Sequence, residues 1–73
     1  MYTVYVIKSL KDNRLYYGFT NDIKRRLKEH NEGKVLSTKS RVPFELVYYE
    51  LAETIIIARK KEKYFKMVLV ENM

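Results

Sequence analysis

The segment from Thr20 to Gly33 restricts the fold most strongly, because both ends of a helix can be recognised in it. Asn21 or Asp22 can cap the first turn through its side chain, and Gly33 stands where a left-handed C-terminal cap is expected. A helix so early in a chain of 73 residues leaves room for only a few further elements on either side.

The segments around this helix have the composition of β-strands. Three of them are rich in β-branched and aromatic residues: residues 2–7, 14–20 and 44–50. The first two enclose the polar turn SLKDN and predict an antiparallel hairpin. A basic loop closed by Pro43 precedes the third, and a second helix is predicted from Thr54 to Phe65 or beyond. The order β-β-α-β-α predicts a single α+β domain over residues 1–73, with helices flanking a small three-stranded antiparallel or mixed sheet.

Composition limits the class of protein. The chain has no cysteine, which excludes disulfides and thiolate metal sites. Its longest aliphatic run, Ile55 to Ala58, is far shorter than the roughly 20 residues of a membrane span, and the N-terminus lacks a signal-peptide pattern. We therefore expect a cytoplasmic protein with no membrane partner. Fifteen basic against nine acidic residues give a charge of +6, which favours nucleic acid as a partner, with solubility alone as the alternative.

Two polar residues lie on the apolar side of the first predicted helix. At about 100° per residue, Arg26 and His30 fall on the same side as Ile23 and Leu27, whereas Arg25 points away from it. One explanation for His30 is its place in the last helical turn, where a cation suits the helix dipole. The other is a role in a site at the buried surface.

Glu62 presents the same problem in the second predicted helix. It falls in the middle of an apolar stripe that includes Ala58 and Phe65. Glutamate is rarely buried unless it is paired or binds a metal. A buried ion pair with Arg26 and a metal-binding role are therefore both open.

In chain order, these residues resemble the GIY-YIG nuclease domain. The residues that match its motifs are Thr3-Val4-Tyr5, Tyr16-Tyr17-Gly18, Arg26, His30 and Glu62. The surrounding segments LYYGFTNDIKRRLKEHNEGK, RVPFELVYYE and ARKKEKYFK are similar to small bacterial single-domain members related to the amino-terminal domain of the excinuclease C subunit. The resemblance runs from residue 2 to about residue 66.

The resemblance implies a metal-dependent endonuclease that cleaves DNA, with RNA as the second candidate substrate and DNA repair as the setting. The implied catalytic residues are Tyr5, Tyr16, Arg26, His30 and Glu62. Glu62 would bind one divalent ion, Mg²⁺ or alternatively Mn²⁺. Lys34, Lys39 and Arg41 are candidate contacts to the nucleic-acid backbone, and an ordinary solvated loop is the alternative for these three.

The second strand gives the motif glycine a place. By strand alternation, Tyr16 and Gly18 share one face, while Tyr17 faces the core on the other. Gly18 is then expected to leave room beside Tyr16 for a phosphate or for Arg26, because a glycine inside a strand marks a close approach.

The chain departs from the family pattern at three places. Thr3 and Tyr17 replace the first glycine and the isoleucine of the name motif, and Asn72 lies nearer to Glu62 than the late asparagine of several relatives. A non-catalytic domain that binds nucleic acid and keeps the nuclease fold is the alternative function.

Overall fold

The structure, a computed structural model, describes the backbone of residues 1–71 and the side chains of residues 1–68. Asn72 lies outside the described residues. The chain forms three strands and two α-helices: β1 (Tyr2–Ser9), β2 (Leu15–Thr20), α1 (Ile23–Asn31), β3 (Phe44–Ala52) and α2 (Ile55–Glu71). A short 3₁₀ turn, Lys39–Arg41, lies in the basic loop. Within the described part of the chain, neither helix is both long and apolar enough to cross a membrane.

The three strands form one antiparallel sheet with β1 at its centre, in the order β2-β1-β3. The predicted α+β fold and element order are confirmed, and the antiparallel alternative is the one observed. In the hairpin register, Tyr5 of β1 lies opposite Gly18 of β2. Both β2 and β3 are edge strands, so β2 has one side free for the site described below.

The turn and the first helix form where the predicted signals stand. Asn13 adopts a left-handed conformation with φ 63°. The Asp12 carboxylate accepts a hydrogen bond from the backbone N–H of Arg14 at 2.9 Å, which closes the turn around Asn13. At the start of α1, the Asp22 carboxylate accepts a hydrogen bond from the backbone N–H of Arg25 at 3.1 Å. Gly33 has φ 75° just after the helix, in the left-handed region that glycine adopts without steric cost.

The two helices cover opposite faces of the sheet. On the α1 face, Tyr5, Ile7 and Phe44 are buried, with Ile23 and Leu27 packed against them. On the α2 face, a larger apolar cluster joins β1, β2 and β3 to the helix: Val4, Val6, Tyr17, Ala52, Ala58 and Phe65. The strand alternation predicted for β2 is confirmed, because Tyr16 packs with the α1 cluster while Leu15 and Phe19 pack with the α2 cluster.

One side chain fixes the end of α1 to the sheet. The Asn31 amide donates to the Phe44 carbonyl at 3.1 Å, and the Phe44 N–H donates to the Asn31 amide oxygen at 2.6 Å. These two hydrogen bonds satisfy the backbone N–H and carbonyl of Phe44, the first residue of β3, as a neighbouring strand would. They hold the last turn of α1, and therefore His30, at a fixed height above the sheet.

Candidate active site

A cleft of about 410 Å³ runs along the free edge of β2, where the two helices approach from opposite faces. It brings residues from β1, β2, α1 and α2 together: Tyr5, Leu15, Tyr16, Tyr17, Gly18, Phe19, Arg26, Glu62 and Lys66. Four of the five predicted catalytic residues line it, and the fifth, His30, lies directly behind Tyr5.

Gly18 makes room for the ring of Tyr5. A Cβ atom added at Gly18 would lie 2.5 Å from the Tyr5 hydroxyl oxygen and 2.7 Å from Cζ, closer than atoms can approach. Our expectation that the glycine leaves space for a phosphate or for Arg26 was therefore wrong. The cross-strand partner takes that space, because the outer end of the Tyr5 ring lies against the backbone of Gly18, the residue opposite to it in β2.

The Tyr5 hydroxyl begins a chain of buried hydrogen bonds. Its oxygen lies 3.1 Å from His30 Nε2, and His30 Nδ1 lies 2.8 Å from the Thr38 hydroxyl oxygen. The Thr38 hydroxyl reaches the Val35 carbonyl at 3.4 Å. Tyr5 is only 2% exposed, and His30 and Thr38 are fully buried. The chain therefore runs from the cleft into the protein interior.

Burial and Arg26 set the protonation of this chain. Burial lowers the pKa of His30 below its ordinary value, and the nearby Arg26 guanidinium lowers it further. The pKa of Tyr5 is raised, mainly by burial, although a side-chain hydrogen bond from Arg26 opposes the shift. At neutral pH both groups are uncharged. The interpretation of His30 as a cation at the helix dipole is wrong, since a buried neutral imidazole has little interaction with that dipole.

Arg26 and Arg25 have the separate positions that the helix pattern predicts. The Arg25 side chain is 57% exposed beside Asp22, whereas that of Arg26 is 35% exposed and lines the cleft. Arg26 forms an ion pair with Glu29 at 3.2 Å, one helical turn away. The proposed ion pair between Arg26 and Glu62 is not formed, because the two side chains come from opposite faces of the sheet and each has a partner on its own helix.

Glu62 lines the cleft with a side chain that is 21% exposed. Its carboxylate forms an ion pair with Lys66 at 3.2 Å. Among the described residues, no group of three or more His, Cys, Asp or Glu side chains converges on one point. The donor set thus fits Mg²⁺ or Mn²⁺ held by one carboxylate and otherwise by water, as Mg²⁺ accepts, and does not fit an ion enclosed by protein ligands.

The two neighbouring tyrosines of β2 differ in their surroundings. Tyr16 lines the cleft on the α1 face, with its ring edge-on to His30 at a centroid distance of 5.1 Å. Tyr17 packs into the α2 face, and its buried hydroxyl has no hydrogen-bond partner in the described part of the chain. Burial raises the pKa of Tyr17, which Lys66 partly offsets.

The basic loop residues lie apart from the cleft, and none of the three lines it. Lys34 pairs with Glu32 at 3.2 Å, and Arg41 pairs with Asp12 at 3.3 Å while lying over the Phe44 ring. A nucleic-acid contact at Lys34, Lys39 or Arg41 stays a prediction.

Two residues of the site escaped the sequence analysis. Lys66 lies four residues after Glu62, a helical spacing that places both side chains on one face and that could have revealed it. Thr38 lies in the loop between α1 and the 3₁₀ turn. A loop has no periodicity, so no local signal could have placed its hydroxyl against His30.

Comparisons with known proteins identify the family to which these residues belong. The GIY-YIG catalytic domain family matches residues 1–70. A UPF0213 protein of Bacillus licheniformis is 41% identical over 69 residues, which are 93% of this chain and 71% of that protein. The UPF0213 protein YazA of Bacillus subtilis is 48% identical over 63 residues (85% of this chain, 63% of YazA), and a UPF0213 protein of Clostridium perfringens is 42% identical over 64 residues (86% and 68%).

The chain thus spans about two thirds of the length of these curated relatives. No solved structure gives a significant match to it. The family match extends over nearly every residue and includes all five residues assembled around the cleft. The chain therefore belongs to the GIY-YIG family of nuclease domains.

Proposed function

We propose that this domain is a metal-dependent endonuclease that hydrolyses phosphodiester bonds of DNA in the cleft along β2. The observation that supports it best is the convergence of Tyr5, Tyr16, Arg26 and Glu62 on one cleft, with neutral His30 behind Tyr5. Phosphodiester hydrolysis needs charge stabilisation, a proton acceptor for water and a stabilised leaving oxygen, and this set offers a group for each. The +6 charge of the chain favours a polyanionic substrate.

Arg26 would bind the phosphate. Its planar guanidinium can donate two parallel hydrogen bonds to non-bridging oxygens, which lysine cannot do. The ion pair with Glu29 leaves part of the guanidinium free, and the side chain lines the cleft with 35% of its surface exposed. Lys66 adds a second positive charge from the opposite helix.

Tyr5 and His30 would accept the proton of the attacking water. As the water oxygen bonds to phosphorus, its proton passes to the Tyr5 oxygen while the Tyr5 hydroxyl proton passes to His30 Nε2, 3.1 Å away. The bond from phosphorus to the leaving oxygen breaks, that oxygen takes a proton from solvent, and His30 later returns its proton to solvent. A neutral tyrosine is a weak base on its own, so transfer to His30 makes the step feasible at neutral pH.

Glu62 would hold the divalent ion, Mg²⁺ or Mn²⁺, which supplies Lewis-acid stabilisation of the leaving oxygen. The Glu62 carboxylate lies in the cleft within reach of solvent, as an ion that keeps several waters requires.

The test is cleavage of supercoiled plasmid and of branched, single-stranded and RNA substrates, with Mg²⁺ or Mn²⁺. We expect Glu62→Gln and Arg26→Ala each to slow cleavage by about 100-fold or more, the usual effect of losing one group that stabilises transition-state charge. The matched controls are Glu53→Gln and Arg25→Ala, because Glu53 is exposed and absent from the cleft lining and Arg25 is the outward-facing neighbour of Arg26.

Cleavage that persists in Glu62→Gln would contradict the proposal. If the wild type cuts none of these substrates but binds DNA tightly and with strong salt dependence, the domain is a binding module that keeps the nuclease fold. Thermal unfolding tests metal binding by Glu62 separately from cleavage. A divalent ion should raise the melting temperature of the wild type and leave that of Glu62→Gln unchanged.

A further inference from the structure

We propose that Thr38 is a positioning residue that fixes the tautomer of His30, with the proton on Nδ1 and the free lone pair of Nε2 directed at the Tyr5 hydroxyl. Nothing in the family motif points to Thr38, and it is absent from the cleft lining. The inference rests on the proposed function only for its catalytic consequence, because the tautomer itself is a property of the folded protein.

The hydrogen-bond geometry supports this arrangement. His30 is fully buried, and its two ring nitrogens each have one oxygen within reach: Tyr5 at 3.1 Å from Nε2 and Thr38 at 2.8 Å from Nδ1. A neutral imidazole donates from one nitrogen and accepts at the other. The two oxygens must therefore have opposite roles, and the neighbours of each oxygen decide which role it has.

The neighbours of both oxygens favour the same tautomer. The Thr38 hydroxyl lies 3.4 Å from the Val35 carbonyl, which can only accept, so the hydroxyl proton has an acceptor away from the ring. Its lone pair then receives the Nδ1 proton of His30. At the other end, the guanidinium of Arg26 lines the same cleft as Tyr5 and has only donors, so it can interact with a lone pair of the Tyr5 oxygen but cannot accept the Tyr5 proton. The remaining group of Tyr5, its proton, is left for Nε2.

The opposite tautomer satisfies fewer groups. If Nε2 carried the proton, the Tyr5 oxygen would accept from His30, and the Tyr5 proton would lose its acceptor Nε2. A buried donor without a partner is costly, and Tyr5 is 2% exposed. The Val35 carbonyl would also lose its contact with the Thr38 hydroxyl proton. The chain from Tyr5 to Val35 therefore runs in one direction, toward the interior.

This direction has a consequence for the proposed reaction. Only the tautomer with a free Nε2 can take the Tyr5 proton, because a protonated Nε2 has no lone pair to receive it. A histidine held in the wrong tautomer loses its function as a base even when its position is unchanged. Thr38 thus acts through His30 and contacts neither water nor phosphate.

The ¹⁵N spectrum of the imidazole tests the proposal directly, and His30 is the only histidine in the chain, so no assignment is ambiguous. Above neutral pH, we expect Nδ1 of the wild type to have the shift of a protonated nitrogen and Nε2 that of an unprotonated one. Thr38→Val removes the acceptor for the Nδ1 proton with little change of volume, and should shift the population toward the Nε2–H form. Thr38→Ser keeps the hydroxyl and should restore the wild-type spectrum.

Cleavage rates give the second readout. Thr38→Val should slow cleavage by about 10- to 100-fold, as is typical when the partner that orients a functional histidine is lost, and Thr38→Ser should recover the rate. The control is Thr54→Ala, which removes the hydroxyl that caps α2 at the N–H of Ile57. It should lower the melting temperature without changing the imidazole spectrum.

A wild-type spectrum with Nε2 protonated would overturn the proposal, and this measurement needs no variant to fold. The proposal is also overturned if Thr38→Val keeps the Nδ1–H form, or if it changes tautomer and still cleaves at the wild-type rate. A wild type that shows the Nδ1–H form but cuts no substrate supports the tautomer and contradicts the proposed nuclease function, so the two failures are distinguishable.

Discussion

The two faces of the sheet have been built in different ways. On the α1 face the buried groups include a hydrogen-bonded chain of polar side chains, Tyr5, His30 and Thr38. On the α2 face the buried side chains are apolar apart from one hydroxyl, that of Tyr17, which has no partner within the described residues. Hydrophobic burial has no preferred direction, whereas a hydrogen-bonded chain fixes orientation. The α2 face therefore contributes mainly apolar packing, whereas the α1 face also fixes the orientation of Tyr5 and His30.

The same contrast separates the two helices. The α1 residues Arg26 and His30 act on Tyr5 from fixed positions within hydrogen-bond networks. The α2 residue Glu62 lines the cleft with a partly exposed side chain, with Lys66 as its ion-pair partner. A partly exposed ion pair can be exchanged at little cost, which suits the carboxylate that we propose binds an ion surrounded by water.

Placing a side chain at Gly18 should damage the α1 face most. The Cβ of Gly18→Val would lie 2.5 Å from the Tyr5 hydroxyl, and a buried, hydrogen-bonded ring has nowhere to move. We expect a loss of about 1–3 kcal/mol in the free energy of unfolding, together with loss of cleavage.

Chemical denaturation with a plasmid-nicking assay measures both effects. Gly33→Ala is the control, because a Cβ at Gly33 would make only an ordinary contact of 3.8 Å with the Lys39 Cβ, and the cost there comes from its positive φ, about 1–2 kcal/mol. A Gly18→Val protein as stable as the wild type would show that the Tyr5 ring lies elsewhere.

Mild acidification should lower the free energy of unfolding through His30, the buried imidazole of the α1 face. The pKa of His30 is lowered in the folded state, so between its folded value and about 6.5 the unfolded chain binds more protons. The stabilisation is therefore complete above pH 6.5 and is lost as pH falls through this window, with a slope of at most about 1.4 kcal/mol per pH unit. Unfolding free energies from pH 7.5 to 5 measure this slope.

His30→Gln should remove the slope in this range. The carboxylates with lowered pKa values, Asp12 and Glu50, titrate at lower pH and do not contribute. An unchanged slope in His30→Gln would mean that the buried imidazole is not its source.

Removing one hydroxyl oxygen from each face should lower stability on the α1 face but not on the α2 face. Tyr5→Phe breaks the hydrogen bond to His30 and should cost about 1 kcal/mol of stability. Tyr17→Phe removes a buried hydroxyl that has no partner in the described residues, so it should leave stability unchanged or raise it by up to about 1 kcal/mol. The comparison of melting temperatures is matched, because the two variants make the same chemical change. Equal destabilisation by both would mean that the Tyr17 hydroxyl is satisfied in solution.

The sequence predicted those features of the site that depend on local periodicity. Alternation in β2 separated Tyr16 from Tyr17, and helical spacing separated Arg26 from Arg25, because period and face are properties of a single element. Periodicity left an ion pair between Arg26 and Glu62 open, because it gives the side of the helix on which a residue lies but not which face of the sheet that helix covers.

The remaining features depend on contacts between elements. The overlap of Tyr5 with Gly18 needs the register of the hairpin, and the position of Thr38 needs the path of a loop with no repeating pattern. Family resemblance supplied the five residues of the site, but only the assembled structure shows which of them are hydrogen-bond partners.

The pairing of Tyr5 with Gly18 also guards the hairpin against misalignment. A slip of one residue would turn the side chains of β2 to the wrong faces, which burial alone disfavours. A slip of two residues keeps each side chain of β2 on its own face, so burial does not disfavour it. Such a slip would bring Tyr16 or Thr20 opposite the Tyr5 ring, where only a glycine fits. The glycine at residue 18 therefore disfavours both two-residue slips, which keep the alternation of faces, and favours the observed register in which it lies opposite Tyr5.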